Sequence, residues 1–180
     1  EITGFLGTDT APVLTGTQKY ACEYVRGDNV GDYTIIPSGV DAHDYAITFE
    51  NGTLTVNRKS AKSDDIIAAQ LAGEKLIYTN AVNRPTIVVT DTTLQLTETK
   101  DYTLSFIGTQ ADNTSFDESA TAPIHVGKYT AIVAFEGNYK DTLTVDFTID
   151  QAQLTITAND TAMIYGDEAP AFSVSYSGFL

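Results

Sequence analysis

Two histidines and one cysteine are the residues of this chain whose side chains are best suited to acid–base or nucleophilic chemistry. His43 and His125 stand in turn-like sequence, and neither has a recognisable acid or nucleophile beside it. Cys22 lies in the alternating residues 20–24, which predicts a strand position with a buried, inert thiol. The chain has no Gly-rich phosphate loop, no serine nucleophile elbow and no zinc-protease motif. We therefore expect no catalytic residue, no cofactor-binding residue and no enzymatic activity.

Calcium is the metal whose ligands this sequence offers in quantity, because acidic and amide oxygens cluster in two predicted loops. The candidate residues are Asp112, Asn113 and Asp117 in one loop, and Asp160, Asp167 and Glu168 in the other. No regular Asp-x-Asp-x-Asp-Gly loop is present in the sequence. The pattern favours solvated acidic loops, and we assign no metal ligand to any of these residues.

Composition excludes several classes of partner. The 180 residues include 10 Lys and Arg against 24 Asp and Glu, a formal net charge of −14, which repels phosphate backbones and anionic lipid surfaces. A single cysteine cannot form an internal disulfide, and no apolar run approaches the roughly 20 residues of a transmembrane helix. We expect no nucleic-acid partner and no membrane insertion by this segment. Few cysteines with much Thr, Asn, Asp and Gly are typical of a bacterial exported protein.

Apolar and polar residues alternate with a period of two along much of the chain. The clearest case is residues 143–149 (LTVDFTI), and Tyr129, Ala131, Val133 and Phe135 likewise share one face. The same pattern occurs at residues 45–49, 102–106, 154–156 and 172–176. Strands that need only one covered face belong to antiparallel sheets, so the sequence predicts an all-β fold of sandwich-like modules.

Turn residues separate these predicted strands. Residues 50–52 (ENG) and 136–138 (EGN) each join two alternating runs, which predicts hairpins at both places. One segment, residues 63–71, has a possible helix N-cap in Ser63 and a stop signal in Gly73. Its pattern alone leaves helix and strand equally open.

Internal echoes suggest where one module ends and the next begins. Residues 30–34 (VGDYT) recur as residues 126–130 (VGKYT), and each copy is followed later by a Leu-Thr-Val strand. We place boundaries near 61 and 150, which divides the chain into residues 1–61, residues 62–150 and residues 151–180. In addition, Gly4-Phe5-Leu6 near the start recurs as Gly178-Phe179-Leu180 at the end.

Both ends of the chain resemble the MBG module (YGX type), which occurs in tandem in large bacterial surface adhesins. The opening of that module resembles residues 154–158, Tyr165-Gly166-Asp167 with Pro170, and residues 176–179. Its ending resembles residues 4–7, Asp9-Thr10, residues 30–33, residues 44–47 and residues 52–56. The order departs from the family, since the second half precedes the first here. The resemblance implies that residues 1–61 and residues 151–180 are two halves of one sandwich or β-grasp-like module, neither of which should bury a complete core alone.

The middle segment, residues 62–150, resembles a bacterial Ig-like repeat. The resemblance is in Tyr78, Pro85, and the segments 101–103, 126–129, 137–139 and 147–149. It implies an Ig-like antiparallel β-sandwich, and because the family has a strand before Tyr78 it favours a strand at residues 66–71.

Three tyrosines have structural roles that can be predicted from their neighbours. Tyr33 and Tyr129 follow a glycine at the start of a strand, where the ring can pack in the core and the hydroxyl can reach a backbone carbonyl. Tyr165-Gly166-Asp167 is predicted to be a turn in which Gly166 supplies the unusual backbone conformation.

These features together predict a non-catalytic spacer segment of a bacterial cell-surface or secreted adhesin-like protein. The first alternative is a module that itself binds a host glycan or glycoprotein, since ten tyrosines could supply stacking surfaces for sugars. The second is an accessory domain of an extracellular hydrolase. The split order also predicts head-to-tail self-association, in which residues 151–180 of one chain pair with residues 1–58 of a neighbour.

Overall fold

The computed structural model describes residues 2–8 and 14–180. Every regular element among these residues is a β-strand, which confirms the all-β prediction. Two compact units divide the chain, residues 1–59 and residues 60–180. Asp9 and Thr10 of the predicted MBG pattern lie outside the described residues, and within the described ranges no helix could span a membrane.

The first unit contains one antiparallel sheet in the order β1-β2-β3. Its strands are β1 (Leu14–Cys22), β2 (Gly31–Ala42) and β3 (Gly52–Val56). The long β2 pairs with β3 through its first residues and with β1 through its later ones, as in the pairs Tyr33↔Leu54 and Tyr20↔Pro37. Ala42 is the one described apolar side chain of this unit that is buried, at 8% exposure. The described residues of this unit therefore form a sheet but no closed interior.

The predicted strand at residues 45–49 and the hairpin at residues 50–52 are both wrong. Residues 45–51 have no regular structure, and Gly52 instead begins β3, opposite Ile35. The hydrogen bonds of β3 are made by β2, so the run at residues 45–49 has no partner strand among the described elements. Alternation shows which residues could face a core, but it does not choose the strand that supplies the hydrogen bonds.

The second unit contains most of the strands. In chain order they are β4 (Lys59–Ser60), whose second residue begins the unit, β5 (Ile66–Gln70), β6 (Leu76–Ile77), β7 (Ile87–Asp91), β8 (Leu94–Gln95), β9 (Tyr102–Gln110), β10 (Ser115–Ser119), β11 (Gly127–Phe135), β12 (Tyr139–Lys140), β13 (Thr142–Asp150), β14 (Thr155–Ala158) and β15 (Val174–Ser177). A five-stranded sheet has the order β10-β9-β11-β13-β6, and a three-stranded sheet has the order β5-β7-β8. β14 and β15 form a separate antiparallel hairpin.

One hydrophobic core joins the five-stranded sheet to the three-stranded sheet, which makes this region of the unit a β-sandwich. Phe106 of β9 and Val133 of β11 are completely buried on the core face of the five-stranded sheet. Val89 of β7 is completely buried on the core face of the three-stranded sheet. The predicted alternation of β13 is confirmed, because its apolar residues point inward and its polar residues outward. All residues of this core lie between Ala61 and Ile149.

The segment that the sequence left open between helix and strand is a strand. β5 pairs with β7 in register, for example Ala68↔Val89, so the helix alternative is wrong and the strand favoured by the Ig-like resemblance is confirmed. Ile66 is buried on the core side of β5, while Ile67 points outward. The predicted turn at residues 136–138 is also confirmed, since the ladder between β11 and β13 continues to the pair Ala134↔Thr142 beside it.

One pair of strands in the five-stranded sheet is parallel. β6 pairs with the end of β13 through Leu76 and Ile77, and the Tyr78 N–H donates to the carbonyl of Asp150 at 2.9 Å. A strand near the start of the sandwich is thus hydrogen-bonded to its last strand.

Glu74 connects the end of β5 to the residue that precedes β7. Its carboxylate accepts hydrogen bonds from Gln70 Nε2 at 3.0 Å and from the Thr86 N–H and hydroxyl at 2.9 Å and 2.8 Å. Partial burial raises the pKa of Glu74, but the hydrogen bonds from Gln70 and Thr86 outweigh it, so the pKa lies below the ordinary value of 4.5. The ionised form is therefore favoured by folding.

We expect Glu74→Gln to reduce the free energy of unfolding of the second unit at pH 7 by about 1.5 kcal/mol, the lower end of the contribution of hydrogen bonds to a charged group, because Glu74 is only half-buried. A lowered folded pKa means that the stabilisation is present above 4.5 and is lost as the pH falls through the folded pKa. Urea unfolding at pH 7 and at pH 3 should show the difference between variant and parent shrinking in acid. The exposed Glu136, changed to Gln, is the control for loss of one charge, and an equal effect there would contradict the role given to Glu74.

Candidate interaction surfaces

The residues with reactive side chains do not form a catalytic arrangement within the described ranges. His43 and His125 are both exposed, and His125 contacts a stacked Tyr78 ring with centroids 6.2 Å apart. Cys22 ends strand β1 as predicted, but its burial was predicted wrongly, because the thiol is exposed. The described residues of the first unit form only one sheet, so nothing like the second layer of a sandwich covers this strand position.

The two predicted acidic loops have local roles. Asp112 Oδ1 accepts a hydrogen bond from the Thr114 N–H at 2.9 Å, and this bond lowers the pKa of the Asp112 carboxyl. Residues 165–167 form the predicted turn, in which Gly166 has φ +97° and the Asp167 N–H donates to the Ile164 carbonyl at 3.1 Å. Across residues 2–8 and 14–180, no three His, Cys, Asp or Glu side chains are grouped to hold a metal ion.

The two tyrosines that follow strand-starting glycines make the same contact. The Tyr33 hydroxyl donates to the Asn29 carbonyl at 2.6 Å, and the Tyr129 hydroxyl donates to the His125 carbonyl at 2.8 Å. Each bond reaches back four residues and closes the chain segment that enters the strand. Residues 30–34 and 126–130 are therefore similar in this local contact as well as in sequence.

Their surroundings differ, because only Tyr129 lies in a complete core. Its ring stacks on Phe147 with centroids 5.6 Å apart and meets Phe116 edge-on at 5.7 Å. Burial raises the pKa of the Tyr129 hydroxyl, and the Asp112 carboxylate adds to this effect. Tyr33 is half-buried, with Tyr24 edge-on against it at 5.1 Å.

Two recesses occur on the surface of the second unit. One, about 510 Å³, is lined by Gln70 of β5 and by residues of β11 and β13, among them Lys128 and Asp146. The other, about 230 Å³, lies between Tyr78, Gln110 and His125. A stacked pair of rings beside amide and carboxylate groups is the type of surface that could contact a sugar.

The hairpin of β14 and β15 has one apolar and one polar face. Directly opposed residues share a face, so the pairs Ile156↔Tyr176 and Ala158↔Val174 lie together on one side. The pairs on the other side consist of Thr155, Thr157, Ser175 and Ser177. All eight residues are exposed, and Ile156 and Tyr176 are 59% and 55% exposed. An apolar sheet face without a cover is a feature of interaction surfaces.

The first unit also has an apolar sheet face. Tyr33, Ile35 and Pro37 of β2 lie on the same side as their partners Leu54, Cys22 and Tyr20. Tyr33, Ile35, Pro37 and Leu54 are half-buried, while Tyr20 is 64% exposed and Cys22 is also exposed. These partly covered side chains contrast with the closed core between residues 61 and 149.

The described residues contain one closed sandwich, between residues 61 and 149, and two further β sheets without a closed core, at β1–β2–β3 and at β14–β15. Residues 1–55 and 154–180 match the family model of the MBG domain (YGX type), which confirms the resemblance of the two end segments to that module. MBG domains are non-catalytic repeat modules that typically occur in extracellular surface proteins. Comparison with curated proteins and with solved structures gives no match.

Proposed function

We propose that this chain is a non-catalytic, load-bearing segment of a bacterial cell-surface or secreted adhesin-like protein. The observation that supports the proposal most strongly is the MBG match at both ends, because the matched residues precede and follow the core residues 61–149 in the sequence. Repeat modules in series extend a protein away from its attachment point, and each contacts chiefly its neighbours. The acidic balance of the chain would keep such a stalk soluble.

The parallel pair of β6 and β13 suits the sandwich to this role. Tension that pulls the start of β6 and the end of β13 in opposite directions would slide the two strands along each other. The hydrogen bonds of this pair, including the one from the Tyr78 N–H to the Asp150 carbonyl, would then be loaded together and not one after another. A contact that fails only when several bonds break together resists tension better than one that unzips.

We expect Tyr78→Pro to lower the force at which the second unit unfolds, because proline removes the N–H that bonds to Asp150. Single-molecule pulling of the chain between reference domains would measure this force. The matched control is Val89→Ala in β7, which removes core volume away from the β6–β13 pair. Tyr78→Pro should reduce the unfolding force more per kcal/mol of lost stability than Val89→Ala does. Equal reductions would contradict a load-bearing role for this pair.

The recess at Tyr78 and His125 favours a second function, binding of a host glycan or glycoprotein. Tyrosines in the core of the second unit offer no surface to a sugar, because they are buried. These are Tyr102, Tyr129 and Tyr139. Saturable binding of the full chain on a glycan array, lost in His125→Ala and kept in Tyr165→Ala, would support this alternative. Such a result would contradict the spacer proposal as the whole function of the chain.

A further inference from the structure

Among residues 2–8 and 14–180, nothing covers the apolar face of the β14–β15 hairpin. An isolated two-stranded hairpin is marginally stable at best in water, and this one presents Ile156, Val174 and Tyr176 on an exposed apolar face. Beyond the strands, Phe172 and Phe179 are 78% and 73% exposed. Covering this face would remove several large apolar side chains from water, which favours association. The hairpin therefore favours a partner with an apolar surface of its own.

A partner of that chemistry is present in the same sequence. The sheet of the first unit has a face with Tyr20, Tyr33, Ile35 and Leu54 that is only partly covered. The hairpin and this sheet match a single domain family, although 98 residues of other sequence separate the two matched segments, residues 1–55 and 154–180. Two pieces of one module, each without a closed core, are complementary in the way that the two layers of a sandwich are.

The repeated Gly-Phe-Leu triplet provides an independent observation. Gly4 and Gly178 have nearly the same backbone conformation, with φ of +94° and +99°. A Cβ atom at Gly178 would lie 2.4 Å from the Gln153 carbonyl oxygen, so the segment that leads into β14 passes directly beside it. At Gly4 nothing in the described residues lies within 4 Å of that position. Gly4 thus has nearly the same φ as Gly178, but no described segment passes beside it.

We propose that the apolar face of the β14–β15 hairpin of one chain packs on the apolar face of the β1–β2–β3 sheet of a second copy of this chain. The contact is heterologous, so the second copy keeps its own hairpin free and the chains associate head to tail. This inference rests on the proposed function and deepens it by naming a contact through which separate copies of the segment associate. The two proposals are separable, because the pulling experiment depends on β6 and β13 and the association experiment depends on the hairpin.

Sedimentation velocity of the full chain over a range of concentrations tests the contact. The parent chain should sediment faster as its concentration rises, and Ile156→Asp should weaken the association at least about tenfold, because it places a charge in the centre of the apolar face. Thr157→Asp is the matched control, since it adds the same charge one residue away on the polar face. Thr157→Asp should associate as the parent does. A parent chain that sediments independently of concentration would overturn the proposal.

Mixing two variants distinguishes a head-to-tail contact from a symmetric one. Ile156→Asp disables the hairpin, and Tyr20→Asp disables the sheet face at an exposed position where a polar side chain is tolerated. Each variant keeps one intact surface, so neither should self-associate, but an equal mixture should form a 1:1 dimer and nothing larger. In that dimer the exposed Cys22 thiol of the Ile156→Asp chain should react more slowly with iodoacetamide. A mixture that stays monomeric, or that dimerises without protection of Cys22, would contradict the assigned surfaces.

Discussion

Replacing Phe106 with alanine is expected to destabilise the second unit by about 3–5 kcal/mol, the cost of removing a buried phenylalanine ring from a packed core. Phe106 is completely buried in β9 and meets Phe147 edge-on, with centroids 6.0 Å apart. The Arg84 guanidinium lies 5.9 Å from the centre of its ring, so a cation–π contact is lost as well. The expected loss corresponds to a fall in Tm of more than about 12 °C.

Ile107 is the matched control for this change, because it is the next residue of the same strand and is 41% exposed on the opposite face. Ile107→Ala should cost less than about 1 kcal/mol, since much of its side chain is already in water. Thermal unfolding followed by near-UV circular dichroism measures both variants. Similar losses at positions 106 and 107 would show that the core does not lie on the Phe106 side of β9.

The sandwich was the region of the fold that the sequence could predict. β9, β11 and β13 have both alternation and a second layer to bury against, so their periodicity and their burial agree. The tyrosine contacts could also be predicted. Each tyrosine follows, by two residues, a glycine that begins a strand, and from there its hydroxyl can reach a backbone carbonyl earlier in the chain. Both hydroxyls bond to a carbonyl four residues earlier, at Asn29 and at His125.

The first unit was harder to predict, and the reason is physical. Burial at a strand position depends on a second layer, and the sequence of β1 does not contain that layer, so Cys22 was predicted to be buried and is exposed. Residues 45–49 alternate as a strand would, but β3 pairs with β2 and leaves them without a ladder. Local pattern sets which face is apolar, and long-range pairing decides whether a strand forms.

The apolar face of the β14–β15 hairpin could be predicted only in part. The alternation at residues 154–156 and 172–176 predicts strands with one apolar face, and the structure has β14 (Thr155–Ala158) and β15 (Val174–Ser177) there. What alternation could not predict is that this face is exposed, because the cover would come from sequence distant along the chain. The division into residues 1–61, 62–150 and 151–180 stays a prediction, and the association experiment would supply a direct test of the last boundary.

Replacing Gly108 with alanine is the second change for which we expect a large effect, about 3 kcal/mol of lost stability in the second unit, the upper end of the usual cost of overpacking. Gly108 lies in β9 directly opposite Tyr129 of β11. A Cβ atom there would lie 2.4 Å from the Lys128 carbonyl oxygen and 2.5 Å from Tyr129 Cδ1. The nearest obstacle is backbone in the middle of a ladder, and the ring is fixed between Phe116 and Phe147, so neither can move aside cheaply.

The same change at Gly52 is the control that separates crowding from a general effect of alanine in a strand. A Cβ atom at Gly52 would meet Ile35 side-chain atoms at 3.7 Å and 3.9 Å, which is ordinary contact, so Gly52→Ala should be neutral or slightly stabilising for the first unit. Hydrogen exchange of β9 and β11 amides, measured on both variants, should show lost protection only in Gly108→Ala. Unchanged protection there would mean that Tyr129 can leave its position without cost. Since the bond to the His125 carbonyl and the stacking on Phe147 both depend on that position, the tyrosine contact would then contribute little to the stability of the sandwich.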